Sequence, residues 1–284
     1  MNKHIKNYLD SFKFKKIFGQ IFLVDFMFFS ITAIIFSVFS NYLQNRSMIL
    51  LGGKTAEDLQ AILSTSSPEA ILPFLTELKS FLTFAVIGII LLVVLAVLYF
   101  SFTRALIWNH LRSKKLTRKT YWRWNLLNLS LIFPLLSYLF IATIISLITG
   151  WIFSKLITIS PTFYVVHTNS LESVNLVLNN FVNLFLVFLF ITFLFLTYKS
   201  FMEKYRIWES IGHSMTLIKK YWSRLWKFLL LSTLTITVLT LVIIPLRNLF
   251  LSNTFILTVI NLIVFLLFLA WFRIYLLKTI GEKV

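Results

Sequence analysis

Six apolar stretches, each long enough to cross a lipid bilayer as a helix, constrain the fold of this chain more than any other feature. They cover residues 17–43, 81–108, 126–153, 176–198, 228–246 and 255–277. A helix needs about 20 predominantly apolar residues to cross the hydrocarbon core, whereas a membrane β-strand needs about ten of alternating polarity. The sequence therefore predicts an all-α polytopic membrane protein, with residues 1–284 forming a single transmembrane domain.

The composition supports a membrane protein and limits its chemistry. Hydrophobic residues make up 58% of the chain and charged residues 13%, compared with roughly 45–50% and 25% in soluble domains. The absence of cysteine excludes disulfides, thiolate metal sites and cysteine nucleophiles. Because long apolar spans separate the cations, the net charge of +17 favours contact with anionic lipid head groups over nucleic acid. The same charged surface could also bind a partner protein.

The placement of Lys and Arg predicts the orientation. One side of the six spans carries 22 of the 27 basic residues, and the other carries five. Basic loops are retained in the cytoplasm, so we expect both termini there and the protein in the cell membrane. The first apolar stretch is too long for the core of a signal peptide, and we expect it to remain as an anchor.

The chain also shows a possible threefold repeat. Basic and aromatic residues precede the first, third and fifth spans, at 15–22, 119–124 and 219–226. The three returning spans end at Arg104, Lys199 and Arg273, each next to or near an aromatic residue. One interpretation is three copies of an interfacial segment plus a helical hairpin. The other is convergence, because any span entering the membrane favours Lys or Arg followed by Trp or Tyr.

Residues 199–227 have the pattern of an amphipathic helix. Apolar residues recur there at intervals of three and four, with cations between them. We interpret the segment as an elbow lying in the membrane interface, although its apolar face could instead pack on the protein's own helices. The residues expected at the lipid surface are Lys15, Lys16, Arg118, Lys119, Trp122, Lys219, Lys220, Trp222 and Arg224.

Two loops on the side of the spans with few basic residues also allow structural predictions. Residues 44–80 are expected to form a small external cap, with helices beginning at Thr55 and at Ser67-Pro68. The loop at 154–175 is interrupted by Ser160-Pro161 and is expected to be irregular.

Four polar residues are candidates for a transport or polar site. Asp25 is the one ionisable residue deep in a predicted span, where a carboxyl group could carry a proton or bind a cation. Asn175, Asn179 and Asn183 share one face of the fourth span and could line a hydrated cavity. We favour structural roles in helix contacts. A proton relay needs several ionisable groups in succession, and Asp25 is the single such group deep in the predicted spans.

No enzyme motif is present. The four His residues lack metal-ligand spacing, and the chain contains no phosphate-binding loop or nucleophile elbow. We therefore expect no catalytic residue, metal or cofactor. The favoured function is a non-enzymatic membrane module whose basic, aromatic-rich surface binds anionic lipid or a partner protein. The alternative is a small transporter or channel subunit that uses Asp25 and the Asn face.

The passage from Ser210 to Trp226, followed by an apolar span, resembles a unit of prokaryotic six-helix membrane families. The layout of the whole chain is similar to the membrane domain of glycerophosphodiester phosphodiesterases. The phosphodiesterase domain itself is not in this chain, so the resemblance transfers no catalytic residue. It implies a membrane module without assigning a role.

Overall fold

The computed structural model describes residues 3–12, 16–52, 68–159, 161–250 and 253–281. Every regular element in these ranges is an α-helix, which confirms the all-α prediction. In chain order they are α1 (Lys3–Ser11), α2 (Lys16–Leu51), α3 (Pro68–Leu111), α4 (Arg118–Ser130), α5 (Ile132–Ile159), α6 (Pro161–Lys204), α7 (Ile207–Leu249) and α8 (Thr254–Thr279).

Six of the described helical stretches are long and apolar enough to cross a membrane, which confirms the predicted number of spans. The third of them consists of α4 and α5, which are interrupted at Leu131. Pro134 explains this interruption, since it has no amide hydrogen for the carbonyl of Ser130 and its ring crowds that carbonyl. The protein is therefore a multi-pass, all-helical membrane protein.

Several helices are much longer than a bilayer is thick. Helices α3 and α6 have 44 residues each and α7 has 43. At 1.5 Å per residue these lengths are about 65 Å, whereas the hydrocarbon core is about 30 Å thick. The expectation of an irregular loop at 154–175 is wrong. Helix α5 continues to Ile159 and α6 begins at Pro161, so the described residues of this segment are helical. Pro161 is the first residue of α6, a position that needs no amide hydrogen.

The predicted interfacial elbow at 199–227 is also wrong as a separate element. The chain turns within it, at Tyr205, whose backbone has a φ of 53°. The Tyr205 amide still donates to the carbonyl of Phe201, at 2.7 Å, and so closes the last turn of α6. The next helix, α7, then continues without a break from Ile207 to Leu249. The cations from Lys219 to Lys227 and the apolar residues that follow them therefore belong to one helix.

The smaller of two compact units, Asp25–Thr103, contains most of α2 and α3. The ring of Phe28 packs on Tyr99 and Phe100, with centroid separations of 5.4 and 5.5 Å. Farther along, Gly88 provides space for Phe39, because a Cβ at Gly88 would lie 2.5 Å from that ring. Helix α3 begins at Pro68, as predicted for the cap, whereas the predicted helix start at Thr55 lies outside the described residues.

The larger unit comprises Met1–Val24 and Arg104–Val284. Its buried side chains concentrate in 188–202 of α6, in 266–280 of α8 and in the facing parts of α3, α4 and α7. Helix α5 instead exposes Phe133, Phe140 and Leu147, each by about two thirds of its surface. Such a row of large exposed apolar residues suits a lipid environment. The prediction of one domain for the whole chain stays a prediction.

Candidate functional site

The residues predicted for the lipid surface are the first candidate site. All of those that the structure describes have exposed side chains: Lys16, Arg118, Lys119, Trp122, Lys219, Lys220, Trp222 and Arg224. Lys15 lies outside the described residues. We refer to these eight exposed residues as the basic surface. Seven of the eight lie on α4 and α7, two helices that contact each other.

Helix α4 presents its part of the basic surface because its opposite face is buried. Thr117 caps the helix, and its hydroxyl accepts a hydrogen bond from the amide of Thr120, at 3.3 Å. The Thr120 hydroxyl accepts one in return from the Thr117 amide, at 2.9 Å. Trp124 and Leu127 are fully buried, whereas Trp122 is 54% exposed. Burial of one face thus orients the cations and Trp122 outward.

The first half of α7 has a buried face and an exposed face. Ser210, Ser214, Leu217 and Leu225 are buried against the rest of the larger unit. Large exposed side chains follow one another at intervals of seven, seven and four residues: Trp208, Met215, Trp222 and Trp226. Of the predicted apolar face, Leu225 packs on the protein, whereas Trp208, Met215 and Trp222 are exposed, and contact of these exposed residues with lipid stays a prediction.

Several charged residues close to the basic surface in the chain are ion-paired. Glu203 pairs with Arg112 and Lys199, at 3.6 and 3.3 Å. Glu209 pairs with Arg206 at 2.6 Å, and this hydrogen bond lowers the pKa of the Glu209 carboxyl. Within the described part of the chain, none of the six cations of the basic surface has such an acidic partner. Their positive charge is therefore not neutralised by the protein there.

One aromatic ring of α7 lies close to two of these cations. The Lys220 ammonium and the Arg224 guanidinium each lie 5.5 Å from the centroid of the Tyr221 ring. Cation–π contacts of this kind hold the charged groups close to aromatic residues without neutralising them. The arrangement combines exposed positive charge with the amphipathic rings that occur at membrane interfaces.

The second candidate site is a buried polar cluster around Tyr198, which the sequence analysis did not identify. The Tyr198 hydroxyl donates to the side-chain oxygen of Asn128, at 2.9 Å. Arg104 and Arg273, which are 4% and 0% exposed, both lie near Tyr198. The Arg273 guanidinium also lies 4.7 Å from the centroid of the Phe195 ring. Two buried arginines next to one phenol indicate a polar centre within the core.

The buried cluster had a signal in the sequence. Arg104, Lys199 and Arg273 end the three returning spans in the possible repeat, and all three are less than 8% exposed. Sequence reasoning placed them at the membrane boundary, because a lone cation at the end of a span usually extends toward water. Their burial results from packing among α3, α4, α6 and α8, which the sequence pattern does not contain.

The predicted transport or polar-site residues have different environments. Asp25 is fully buried. Asn179 accepts a hydrogen bond from the Thr149 hydroxyl, at 2.6 Å, and so joins α6 to α5. Asn183 is exposed, and the Asn175 side chain lies outside the described part of the chain. Asn179 thus makes the helix contact that we favoured, and the transport role of these residues stays a prediction.

No protein-family model, curated protein or solved structure matches this chain. The functional argument therefore depends on the geometry of the chain itself.

Proposed function

We propose that this protein is a non-enzymatic module of the cell membrane whose basic surface faces the cytoplasm and binds anionic lipid head groups. The observation that carries the proposal is the set of six exposed cations without acidic partners among the described residues, next to the exposed rings of Trp122 and Trp222. The distribution of 22 of the 27 Lys and Arg residues on one side of the spans supports the orientation.

The physical basis is additive electrostatics assisted by aromatic residues. Each Lys or Arg near an anionic membrane contributes about 1 kcal/mol. Six such residues therefore provide a strong preference for anionic over neutral lipid. Tryptophan favours the head-group region because its ring is apolar and its indole nitrogen donates hydrogen bonds. Trp222 and Trp226 lie where the cationic half of α7 meets its apolar half, which is the position expected of residues at that depth.

A small transporter or channel subunit is the less favoured function. It would use Asp25 and the Asn face, yet Asn179 already hydrogen-bonds Thr149 between neighbouring helices. Such contacts commonly stabilise membrane helix pairs. The lipid-binding function needs only groups that the structure exposes.

Lipid preference of the full chain can test the proposal. The protein would be reconstituted in neutral phosphatidylcholine bilayers that contain a small fraction of brominated phosphatidylglycerol or brominated phosphatidylcholine, and tryptophan quenching would be measured. We expect the anionic lipid to quench more strongly, and we expect this difference to fall as salt is added. Equal quenching by the two lipids at low salt would overturn the proposal.

Matched variants test whether the preference for anionic lipid comes from the basic surface. K219Q/K220Q/R224Q removes three unpaired cations from α7, and we expect it to lose much of the preference for anionic lipid. The control K204Q/R206Q/E209Q removes the ion-paired group that precedes them on the chain. It changes the net charge by one and should keep most of the preference. An equal loss in both variants would contradict the assignment to the basic surface.

A further inference from the structure

Helices α2 and α3 form a hairpin, and a cavity of about 310 Å³ lies between them. It is near the end of the hairpin at which α2 ends, at Leu51, and α3 begins, at Pro68. Its wall includes one cation, one carboxylate, one serine hydroxyl and three aromatic rings, one of them a phenol; these belong to Arg46, Glu77, Ser80, Phe81, Phe84 and Tyr42. The cavity lies within the smaller unit and shares no residue with the basic surface. It is more polar than a second cavity nearer the middle of the same hairpin.

The two charges in this wall do not neutralise each other. Among the described residues, neither Arg46 nor Glu77 takes part in an ion pair. They nevertheless line the same cavity, Arg46 from α2 and Glu77 from α3. A ligand that carries both a negative and a positive group could therefore satisfy both walls at once. A ligand of one charge would leave one of the two walls without a partner.

The aromatic residues favour a positive group on the ligand. The rings of Tyr42 and Phe84 have centroids 5.3 Å apart, and Phe39 extends the same aromatic wall, 6.4 Å from Phe84. An ammonium group is attracted to the faces of such rings, and Glu77 adds a full negative charge beside them. Arg46 offers a planar set of donors that matches the oxygens of a phosphate group.

The depth of the cavity suits a lipid head group. Arg46 lies just beyond the first apolar stretch, 17–43, and Glu77 lies just before the second, 81–108. The hairpin carries another cavity nearer its middle, of about 230 Å³, whose wall is almost entirely apolar, with Ile35 and Leu92 on its two sides. A charged cavity at the boundary and an apolar one at membrane depth correspond to the two parts of a phospholipid.

We propose that this charged cavity binds a group that combines phosphate with ammonium, such as phosphoethanolamine, with Arg46 on the phosphate and Glu77 on the ammonium. The group could belong to a zwitterionic phospholipid or to a free phosphoethanolamine molecule. The site lies at the opposite end of the predicted spans from the basic surface and does not depend on the function proposed for that surface.

The test measures lipid selectivity of the purified full chain in detergent micelles. Short-chain phosphatidylethanolamine and phosphatidylglycerol would be titrated separately, and bound lipid would be counted by native mass spectrometry. Both lipids carry phosphate, but only the first carries ammonium. At this site, counted as the lipid binding that is lost in R46Q, we expect phosphatidylethanolamine to bind about tenfold or more tightly, because only it satisfies Glu77. Equal Arg46-dependent binding of the two lipids would overturn the proposal.

Single substitutions separate the two halves of the site. E77Q should remove the preference for phosphatidylethanolamine. R46Q should lower the binding affinity for both lipids about tenfold to a hundredfold. The control is K79Q, an exposed residue two positions from Glu77 that does not line the cavity. It should change neither binding nor preference. A preference retained in E77Q would overturn the assignment of the ammonium.

Competition identifies the source of the group. Free phosphoethanolamine that displaces the lipid at an equal concentration supports a free ligand in this site. Displacement only at about tenfold or higher concentration supports the lipid, because its chains then add to binding. Absence of displacement at any concentration would overturn the phosphate–ammonium assignment. Lipid selectivity at the basic surface is measured with K219Q/K220Q/R224Q, so failure of either proposal can be recognised separately.

Discussion

The indole nitrogen of Trp271 donates a hydrogen bond of 2.8 Å to the hydroxyl of Ser11 and so joins the last helix to the first. The contact is surrounded by further ones. The Phe12 ring stacks on Trp271 with centroids 5.2 Å apart, and the Tyr8 hydroxyl lies 2.9 Å from that of Thr235. Lys278 also donates from its ammonium to the carbonyl of Asp10, at 2.6 Å. Helix α1 is therefore held in place by α8 and α7.

Loss of the Ser11 hydroxyl should destabilise the protein. In S11A the buried indole N–H of Trp271 loses its acceptor, and an unsatisfied buried donor costs about 1–3 kcal/mol. The measurement is reversible unfolding in mixed micelles of increasing dodecyl sulfate content, followed by circular dichroism. L9A provides the control, because Leu9 is 51% exposed on the same helix. If S11A unfolds at the same point as L9A, the hydrogen bond does not stabilise the fold.

The number of spans was predictable from the sequence, whereas helix α1 was not. The thickness of the hydrocarbon core requires about 20 apolar residues per span, and this requirement is visible in any window of the chain. By contrast, α1 has nine residues and little apolar content. A helix so short is marginal alone, and its stability here comes from contacts with Trp271, 260 residues away. No local pattern reports such a contact.

The candidate sites show the same division. The exposed cations of α4 and α7 were predictable, because their spacing and the flanking aromatic residues identify a polar surface. The environment of Arg104 and Arg273 was not, because burial depends on which helices pack together. The turn at Tyr205 was also missed, since only its backbone conformation, and no Gly or Pro, marks the end of α6.

Removal of the buried guanidinium of Arg273 should be among the most destabilising changes in the chain. Truncating a large, fully buried side chain leaves a cavity and typically costs about 3–5 kcal/mol. R273A should lose this stability, and R273K should lose part of it, because a lysine cannot stack its charge on the Phe195 ring in the same way. The control R123A removes an exposed arginine and should change unfolding little. Equal stability of R273A and R123A would contradict the buried cluster.

Two helical glycines should respond differently to substitution. A Cβ at Gly19 would meet no atom within 4 Å, whereas a Cβ at Gly88 would lie 2.5 Å from the Phe39 ring. Alanine favours a helix over glycine by up to about 1 kcal/mol, so G19A should raise stability slightly. G88A should gain less stability than G19A because the Phe39 ring must move. G88L should push α2 and α3 apart and destabilise the protein. A gain in G88L that matched G19A would contradict the packing of Phe39.

The absence of cysteine allows a direct test of the proposed orientation. K220C and K79C would each introduce a single, exposed thiol, at opposite ends of the predicted spans. A membrane-impermeant maleimide added to intact cells should label K79C and should label K220C only after permeabilisation. Labelling of K220C in intact cells would reverse the orientation and place the basic surface outside.

The unbroken course of α7 predicts how far its first half extends from the membrane. Trp208 and Trp226 are 18 positions apart on this helix, which corresponds to about 27 Å along its axis. If Trp226 lies at head-group depth, a straight helix carries Trp208 well into water, whereas an elbow in the interface would keep both at one depth. Spin labels at W208C, W226C and L234C would report contact with an aqueous relaxation agent and with oxygen dissolved in lipid. We expect exposure to the aqueous agent to increase from 234 to 226 to 208. Equal aqueous exposure at 208 and 226 would mean that α7 bends in the bilayer to follow its surface.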